Sequence, residues 1–237
     1  MQHAMKSHGQ ARIEAMTTLA KTYPGMRCSM QELDADPWLL GVRNGVLDLK
    51  TGQLIENRPE LRITRYCGAA YDEDANCPEW VKFLNAIFEN DQETIETIQI
   101  ALGYTLCGST TEEKLFICYG YGANGKSVFS NVVYSILGDY ARTAPPSLLV
   151  ARNSGDSSAR PELAGLAGCR YVSINELQSG DRLDEQVVKM LAGREIISAR
   201  FLYGNFFEYM PAFTPWLRTN HKPVSYTHLR AHETRED

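Results

Sequence analysis

The six cysteines, at positions 28, 67, 77, 107, 118 and 169, include no C-x-x-C pair. The spacing of a zinc ribbon or a dithiol redox centre is therefore missing, and reduced, mostly buried thiols are expected. No apolar run approaches the ~18 residues of a membrane span. The opening Met-Gln-His-Ala-Met-Lys has no apolar signal-peptide core, so a cytoplasmic chain with no membrane partner is expected. No internal repeat is visible. There is no excess of basic residues either: the net charge is −5. That argues against a protein whose whole surface coats nucleic acid, while a local basic groove or pore stays open to it. What remains is ordinary globular material. A hydrophobic content of 43% in 237 residues suits one large domain or two small ones.

The most informative stretch is Gly-Tyr-Gly-Ala-Asn-Gly-Lys-Ser at 120–127, which satisfies the phosphate-binding pattern G-x-x-x-x-G-K-[ST]. Gly120 and Gly125 permit backbone geometry that a Cβ would forbid, so successive N–H groups can turn toward a phosphate. Lys126 then reaches the β- and γ-phosphates, and the Ser127 hydroxyl ligates Mg²⁺. The setting agrees. Leu115–Tyr119 is a short apolar run of strand type. Val128, Phe129, Val132, Val133, Ile136 and Leu137 fall on one helical face, with Gly138 placed to end the helix. Strand, loop and helix in this order predict nucleoside triphosphate binding.

Around this core the chain reads as follows. Ala11–Tyr23 predicts a helix in a polar lead-in. Leu39–Arg43, Asn44-Gly45 and Val46–Leu49 predict a hairpin, with a second turn at Thr51-Gly52 before Gln53–Ile55. Pro78 opens a helix over 78–90 whose apolar stripe is Trp80, Phe83, Leu84, Ile87 and Phe88, spaced for packing and not for base stacking. Asp91 caps a second helix that ends at Gly108. Beyond the phosphate-loop helix lie a polar loop at 153–158, a short helix at 161–167 and a strand at 170–176. A helix at 183–191 follows. Ile196–Tyr203, Gly204-Asn205 and Phe206–Phe213 predict a second hairpin with a two-residue turn, and 213–219 a strand ending at Asn220.

A phosphate loop becomes an ATPase when a carboxylate and a water-orienting polar group join it. Glu176 and Asn220 each end a predicted strand. In open α/β sheets ligands sit at the carboxyl ends of the strands, where both would meet Lys126. A strand-end carboxylate facing solvent and a turn asparagine are the plainer readings of these two positions.

Several segments together resemble a family. Asn-Gly-Val-Leu-Asp-Leu-Lys-Thr-Gly (44–52) and Cys-Pro-Glu-Trp (77–80) resemble the helical linker domain of phage and plasmid primase–helicases. The phosphate loop, Ser-Ile-Asn-Glu (173–176), Ala-Arg-Phe-Leu-Tyr-Gly (199–204) and Thr-Asn-His-Lys-Pro (219–223) resemble their superfamily-3 helicase domain. The resemblance implies an α/β fold: a P-loop AAA+-type core with a central, mainly parallel sheet, preceded by a small, mostly helical domain with a β-hairpin. The boundaries it implies are 1–110 for the linker domain and 111–224 for the core. It further implies ATP and Mg²⁺ as cofactors and Gly120, Gly122, Ala123, Asn124, Gly125, Lys126 and Ser127 as the nucleotide cradle. Lys126, Glu176 and Asn220 become the catalytic set, with Ser127 and Glu176 at the Mg²⁺. The implied partners are single-stranded DNA, further copies of the chain in a ring (commonly a hexamer), and a primase module in the same or a partner chain. Lys189, Arg200 and Tyr203 are the implied DNA contacts. Arginine pairs with phosphate and a tyrosine ring stacks on any base, although ordinary cross-strand packing would also account for Arg200 and Tyr203.

Two departures matter. Many relatives carry two acids where this chain has Asn175-Glu176. After Val224 the family's arginine-bearing segment is replaced by Ser-Tyr-Thr-His-Leu-Arg-Ala-His-Glu-Thr-Arg-Glu-Asp, which reads as a non-native tail over 225–237. His228 and His232 stand four apart in it without a third ligand and are not read as a metal site. An arginine finger contributes roughly 10³–10⁵ in rate, so the chain is expected to bind ATP, hydrolyse it poorly and not unwind DNA. Two other readings stay open at this point: a P-loop kinase for a small molecule, and a non-catalytic oligomerisation or DNA-binding module.

Overall fold

The computed structural model describes residues 9–23, 26, 28–122, 124–150, 160–175, 177 and 183–220. Helix α1, Gln10–Ala20, buries none of its residues. Strands β1 (Leu39–Val42), β2 (Gly45–Asp48) and β3 (Gln53–Ile55) form an antiparallel meander. Leu40, Val42 and Val46 are buried. The first turn is Arg43-Asn44, one residue earlier than the expected Asn44-Gly45, because Val42 faces Gly45 in the ladder. Asn44 is held there by a mutual pair with Tyr71: its Nδ2 donates to the Tyr71 carbonyl, and the Tyr71 N–H donates to its Oδ1.

Helix α2, Pro78–Ile87, starts on its proline. Helix α3, Gln92–Leu106, is capped by Asp91, whose carboxylate accepts from the N–H groups of Glu93 and Thr94. Then come β4 (Phe116–Tyr119), α4 (Lys126–Leu137), β5 (Ala141–Ala144), β6 (Tyr171–Ile174), α5 (Glu185–Ala192), β7 (Ile197–Ala199), β8 (Phe207–Tyr209) and β9 (Thr214–Thr219). Strands β4, β9, β6 and β5 lie in that order in one all-parallel sheet. The molecule is thus a mixed α/β fold with a parallel sheet and a separate meander. Among the described residues β4 pairs only with β9.

Each face of the parallel sheet has its own core. On one face Leu148, Leu163, Val188, Leu191, Ile197 and Phe213 pack against Val172, Ile174 and Leu217. On the other, residues from both halves of the chain form one cluster. Leu40, Val42, Cys67, Leu84 and Ile95 pack with Phe129, Val133, Leu137, Tyr140, Tyr171 and Trp216. Trp216 is its centre, with Phe116, Phe129 and Tyr171 rings 4.6, 5.8 and 5.9 Å away. Its indole N–H donates to Thr105 Oγ1 of α3 at 3.0 Å. Arginines tie the halves further. The Arg170 guanidinium donates to the carbonyls of Leu106 and Leu39 and lies over the Tyr140 ring. Arg65 donates to the carbonyls of Asp139 and Ala167.

Two expected patterns shift in three dimensions. Helix α4 buries Phe129, Ser130, Val133 and Leu137, while Val128 and Ile136 are about half exposed at 53% and 49%. The apolar arc is wider than the surface that covers it. The second hairpin forms, but Ala199 faces Phe207, so residues 200–206 make the connection in place of the two-residue Gly204-Asn205 turn. The tight turn inside that loop runs from Phe201 to Gly204, whose N–H donates to the Phe201 carbonyl, with Tyr203 in the left-handed region at φ 61°.

Candidate nucleotide-binding site

Strand β4 delivers the chain to Gly120, and the loop returns it into α4 at Lys126. Gly125 is the residue before the helix, at φ 82°, ψ −8°. This left-handed conformation is disfavoured for residues with a Cβ. Space enforces the same choice, since a Cβ on Gly125 would stand 2.7 Å from Ile87 Cγ2 and 3.2 Å from Phe83 Cε2. The Phe129 N–H donates to the Gly125 carbonyl at 2.9 Å, beginning the helical ladder. The first N–H groups of α4 have no intrahelical partner, and the helix dipole adds partial positive charge there.

The Lys126 ammonium turns back onto its own loop, donating to the Gly120 carbonyl and, at 2.8 Å, to Asn124 Oδ1. Ser127 is exposed on the first turn of α4. Gly122 is exposed and nothing lies within 4 Å of a Cβ built on it. Ala123 lies outside the described residues. Together these groups offer anion binding at a helix N-terminus, with a lysine and a hydroxyl beside the amides.

Strand β9 runs between β4 and β6, so Asn220, half-buried at its end, comes beside the loop. Tyr119 pairs with Thr219, one residue before Gly120 and Asn220 respectively. Strand β6 ends at Ile174, opposite Leu217; Glu176, two residues on, lies outside the described residues. Lys126, Ser127 and Asn220 are thus brought to one end of the sheet.

Below that end is a polar layer that the motifs did not announce. Ser130 Oγ, one turn into α4 from Ser127, is 2.9 Å from the Tyr171 hydroxyl and 3.0 Å from Ser173 Oγ. Burial raises the Tyr171 hydroxyl, and the Ser130 hydrogen bond partly offsets this. Arg218 on β9 faces Cys118 on β4 and donates from Nη2 to Asn175 Oδ1 after β6. Its Nε is buried with no hydrogen-bond partner among the described residues. Burial pushes the Cys118 thiol up to about 11 against the opposing charges of Arg218 and Lys126. The position after Ile174 thus carries an asparagine that accepts from this arginine. Arg218 left no sequence signal beyond its place two residues before Asn220.

The expected DNA contacts separate into two places. Arg200 and Tyr203 share the β7–β8 loop. The Arg200 guanidinium lies 4.9 Å from the Phe206 ring centroid, and Tyr203 is 100% exposed. Phe201, Leu202 and Phe206 of the same loop are exposed too. Lys189 stands on the exposed side of α5, a different element. The expected tail at 225–237 and the loop at 153–158 lie outside the described residues. No helix among the described residues is long and apolar enough to cross a membrane.

Residues 1–89 match the family described as D5 N terminal like. The chain is 32% identical over 198 residues to the putative helicase L207/L206 of Acanthamoeba polyphaga mimivirus, covering 82% of this chain and 21% of that protein. It is 29% identical over 186 residues to the putative primase C962R of an African swine fever virus isolate, covering 74% of this chain and 19% of that one. Stretches of these lengths within 237 residues necessarily include 120–127. A solved structure described as the A form apo structure of NrS-1 C terminal region-CTR(305-718) aligns with 62% of this chain and 33% of its own, at 17% identity and a TM-score of 0.46. The chain spans about a fifth of the length of the two viral relatives. Residues 1–89 thus resemble the D5 N terminal like family, and over most of its length the chain is similar to viral proteins named putative helicase and putative primase.

Proposed function

We propose that this chain is part of an ATP-driven DNA helicase, a P-loop motor of AAA+ type acting in replication. The observation that carries the reading is the loop between β4 and α4. Gly125 is left-handed at the mouth of a 12-residue helix, Lys126 is its first residue, and Asn220 directly follows the neighbouring strand β9.

In this reading Gly120, Gly122, Ala123, Asn124 and Gly125 wrap the phosphates with main-chain N–H groups. Lys126 exchanges its two loop acceptors for the β- and γ-phosphates. Ser127 and Glu176 would hold Mg²⁺, which would supply charge neutralisation at those phosphates. Glu176 orients and activates water, and Asn220 senses the γ-phosphate. Lys189, Arg200 and Tyr203 contact single-stranded DNA, and copies of the chain assemble as a ring, hexameric by family resemblance, alongside a primase module.

Titration with a fluorescent ATP analogue and Mg²⁺ tests the nucleotide half. Lys126→Ala is expected to weaken binding at least about tenfold, near 1.4 kcal/mol, with an unchanged melting temperature. Stimulation of the bound nucleotide's hydrolysis by single-stranded DNA tests the motor half. A wild-type chain that does not bind the analogue sinks the proposal. Transfer of the γ-phosphoryl group to a small-molecule acceptor, releasing ADP and indifferent to DNA, would point to a kinase.

A further inference from the structure

The segment matched by the D5 N terminal like family, 1–89, contains α2, and α2 touches the phosphate loop itself. The hypothetical Cβ at Gly125 meets Ile87 Cγ2 at 2.7 Å and Phe83 Cε2 and Cζ at 3.2 and 3.3 Å. These two side chains therefore close over the glycine that turns the chain into α4. They are held from behind: the Trp80 ring lies 5.5 Å from Phe83 and 5.6 Å, stacked, from Phe129 on the first turn of α4. Leu84, fully buried on the same helix, belongs to the shared core and does not stand among the nearest neighbours of Gly125.

We infer that Phe83 and Ile87 are positioning residues for the phosphate loop, so that α2 sets the loop's nucleotide-binding conformation; the inference rests on the ATP-binding reading above. The physical reason is local. A left-handed glycine is free to leave that conformation, because glycine populates both signs of φ about equally. Packing from α2 removes that freedom before the nucleotide arrives, and preorganisation of this kind appears as affinity. The same contact makes α2 the route by which the N-terminal segment would feel whether the loop is occupied.

The test compares three variants of the full chain for binding of the fluorescent ATP analogue and for melting temperature. Phe83→Ala is expected to raise Kd about tenfold, and Phe83→Leu, which keeps an apolar side chain against the loop, to stay within about threefold of wild type. Leu84→Ala should lower the melting temperature by roughly 5 °C or more while Kd measured well below the transition stays within about twofold. Ile87 is only half-buried, so Ile87→Ala keeps the fold and carries the test if Phe83→Ala does not fold. Hydrogen exchange supplies an independent readout, with faster exchange expected at the Phe129 amide, which donates to the Gly125 carbonyl, in Phe83→Ala and Ile87→Ala and not in Leu84→Ala. Wild-type Kd in the Phe83 and Ile87 variants, or loss of affinity in all variants in proportion to lost stability, overturns the inference. A wild-type chain that binds no analogue overturns the ATP reading instead.

Discussion

Single residues at the loop differ sharply in what they tolerate. Gly125 combines φ 82° with a neighbour 2.7 Å from its missing Cβ. Gly125→Ala is therefore expected to cost about 1–3 kcal/mol in urea unfolding and, in the proposed function, to weaken nucleotide binding with it. Gly122, three residues earlier, has open space around it, and Gly122→Ala should stay within about 0.5 kcal/mol of wild type. Equal costs at the two positions would contradict the geometry described. Arg170 illustrates a different constraint. It is buried at 4% exposure and gives its guanidinium to two carbonyls, with no carboxylate paired to it among the described residues. Nothing in its immediate sequence announces that role, because its partners stand at positions 39 and 106.

At the scale of elements, the β7–β8 hairpin separates shape from stability. Its strands are three residues each, and its loop carries Phe201, Leu202, Tyr203 and Phe206 into solvent. Tyr203 makes no buried contact and holds a left-handed backbone. Tyr203→Gly should leave stability unchanged or raise it slightly, since glycine relieves the αL cost of about 1–2 kcal/mol. In the proposed function the same substitution removes a stacking platform and should weaken binding to a fluorescent oligothymidylate roughly tenfold. Unchanged binding would remove Tyr203 from the DNA contacts. The longer loop was not legible from Gly204-Asn205. The dipeptide suits a tight turn, but the ladder closes at Ala199 and Phe207, a register set by burial of Ile197 and Ala199 in the sheet-side core and not by turn chemistry.

For the whole molecule, the cluster around Trp216 draws residues from Leu40 to Trp216 into one body. Groups buried in it make its stability depend on alkaline pH, Cys67 and Tyr140 among them. Burial pushes the Cys67 thiol from an ordinary 9.0 up to about 11 and the Tyr140 hydroxyl from 10.0 up to about 12, the latter against a hydrogen bond from the Gly41 N–H. Both are neutral when protonated, so above pH 9 the unfolded chain releases protons before the folded one does. The stabilisation is complete below pH 9 and is lost as pH rises through 11 to 12. The melting temperature should fall over that range, and Cys67→Ala should flatten the part between pH 9 and 11. A wild-type profile that is flat to pH 11 would show that these groups are not shielded as described.

The amino-acid sequence by itself determined what depends on near neighbours. Asp91 capping α3, Pro78 opening α2, Gly138 ending α4 and the strand–loop–helix around 120–127 are all set within a turn or two of chain. Caps, glycine conformations and apolar periodicity act over that distance. The tertiary structure alone decided what depends on distant ones. Strand β9 takes the place between β4 and β6, which brings Asn220 to the loop and Arg218 to Asn175. Val128 and Ile136 stay half exposed although their spacing matches that of Phe129 and Val133, because periodicity marks an apolar arc and only the packed neighbours choose which part of it is covered. Gly125, legible as a glycine that a phosphate loop needs, is also the point on which Phe83 and Ile87 close from some forty residues earlier in the chain. That contact joins elements across a loop whose closure entropy no local pattern encodes.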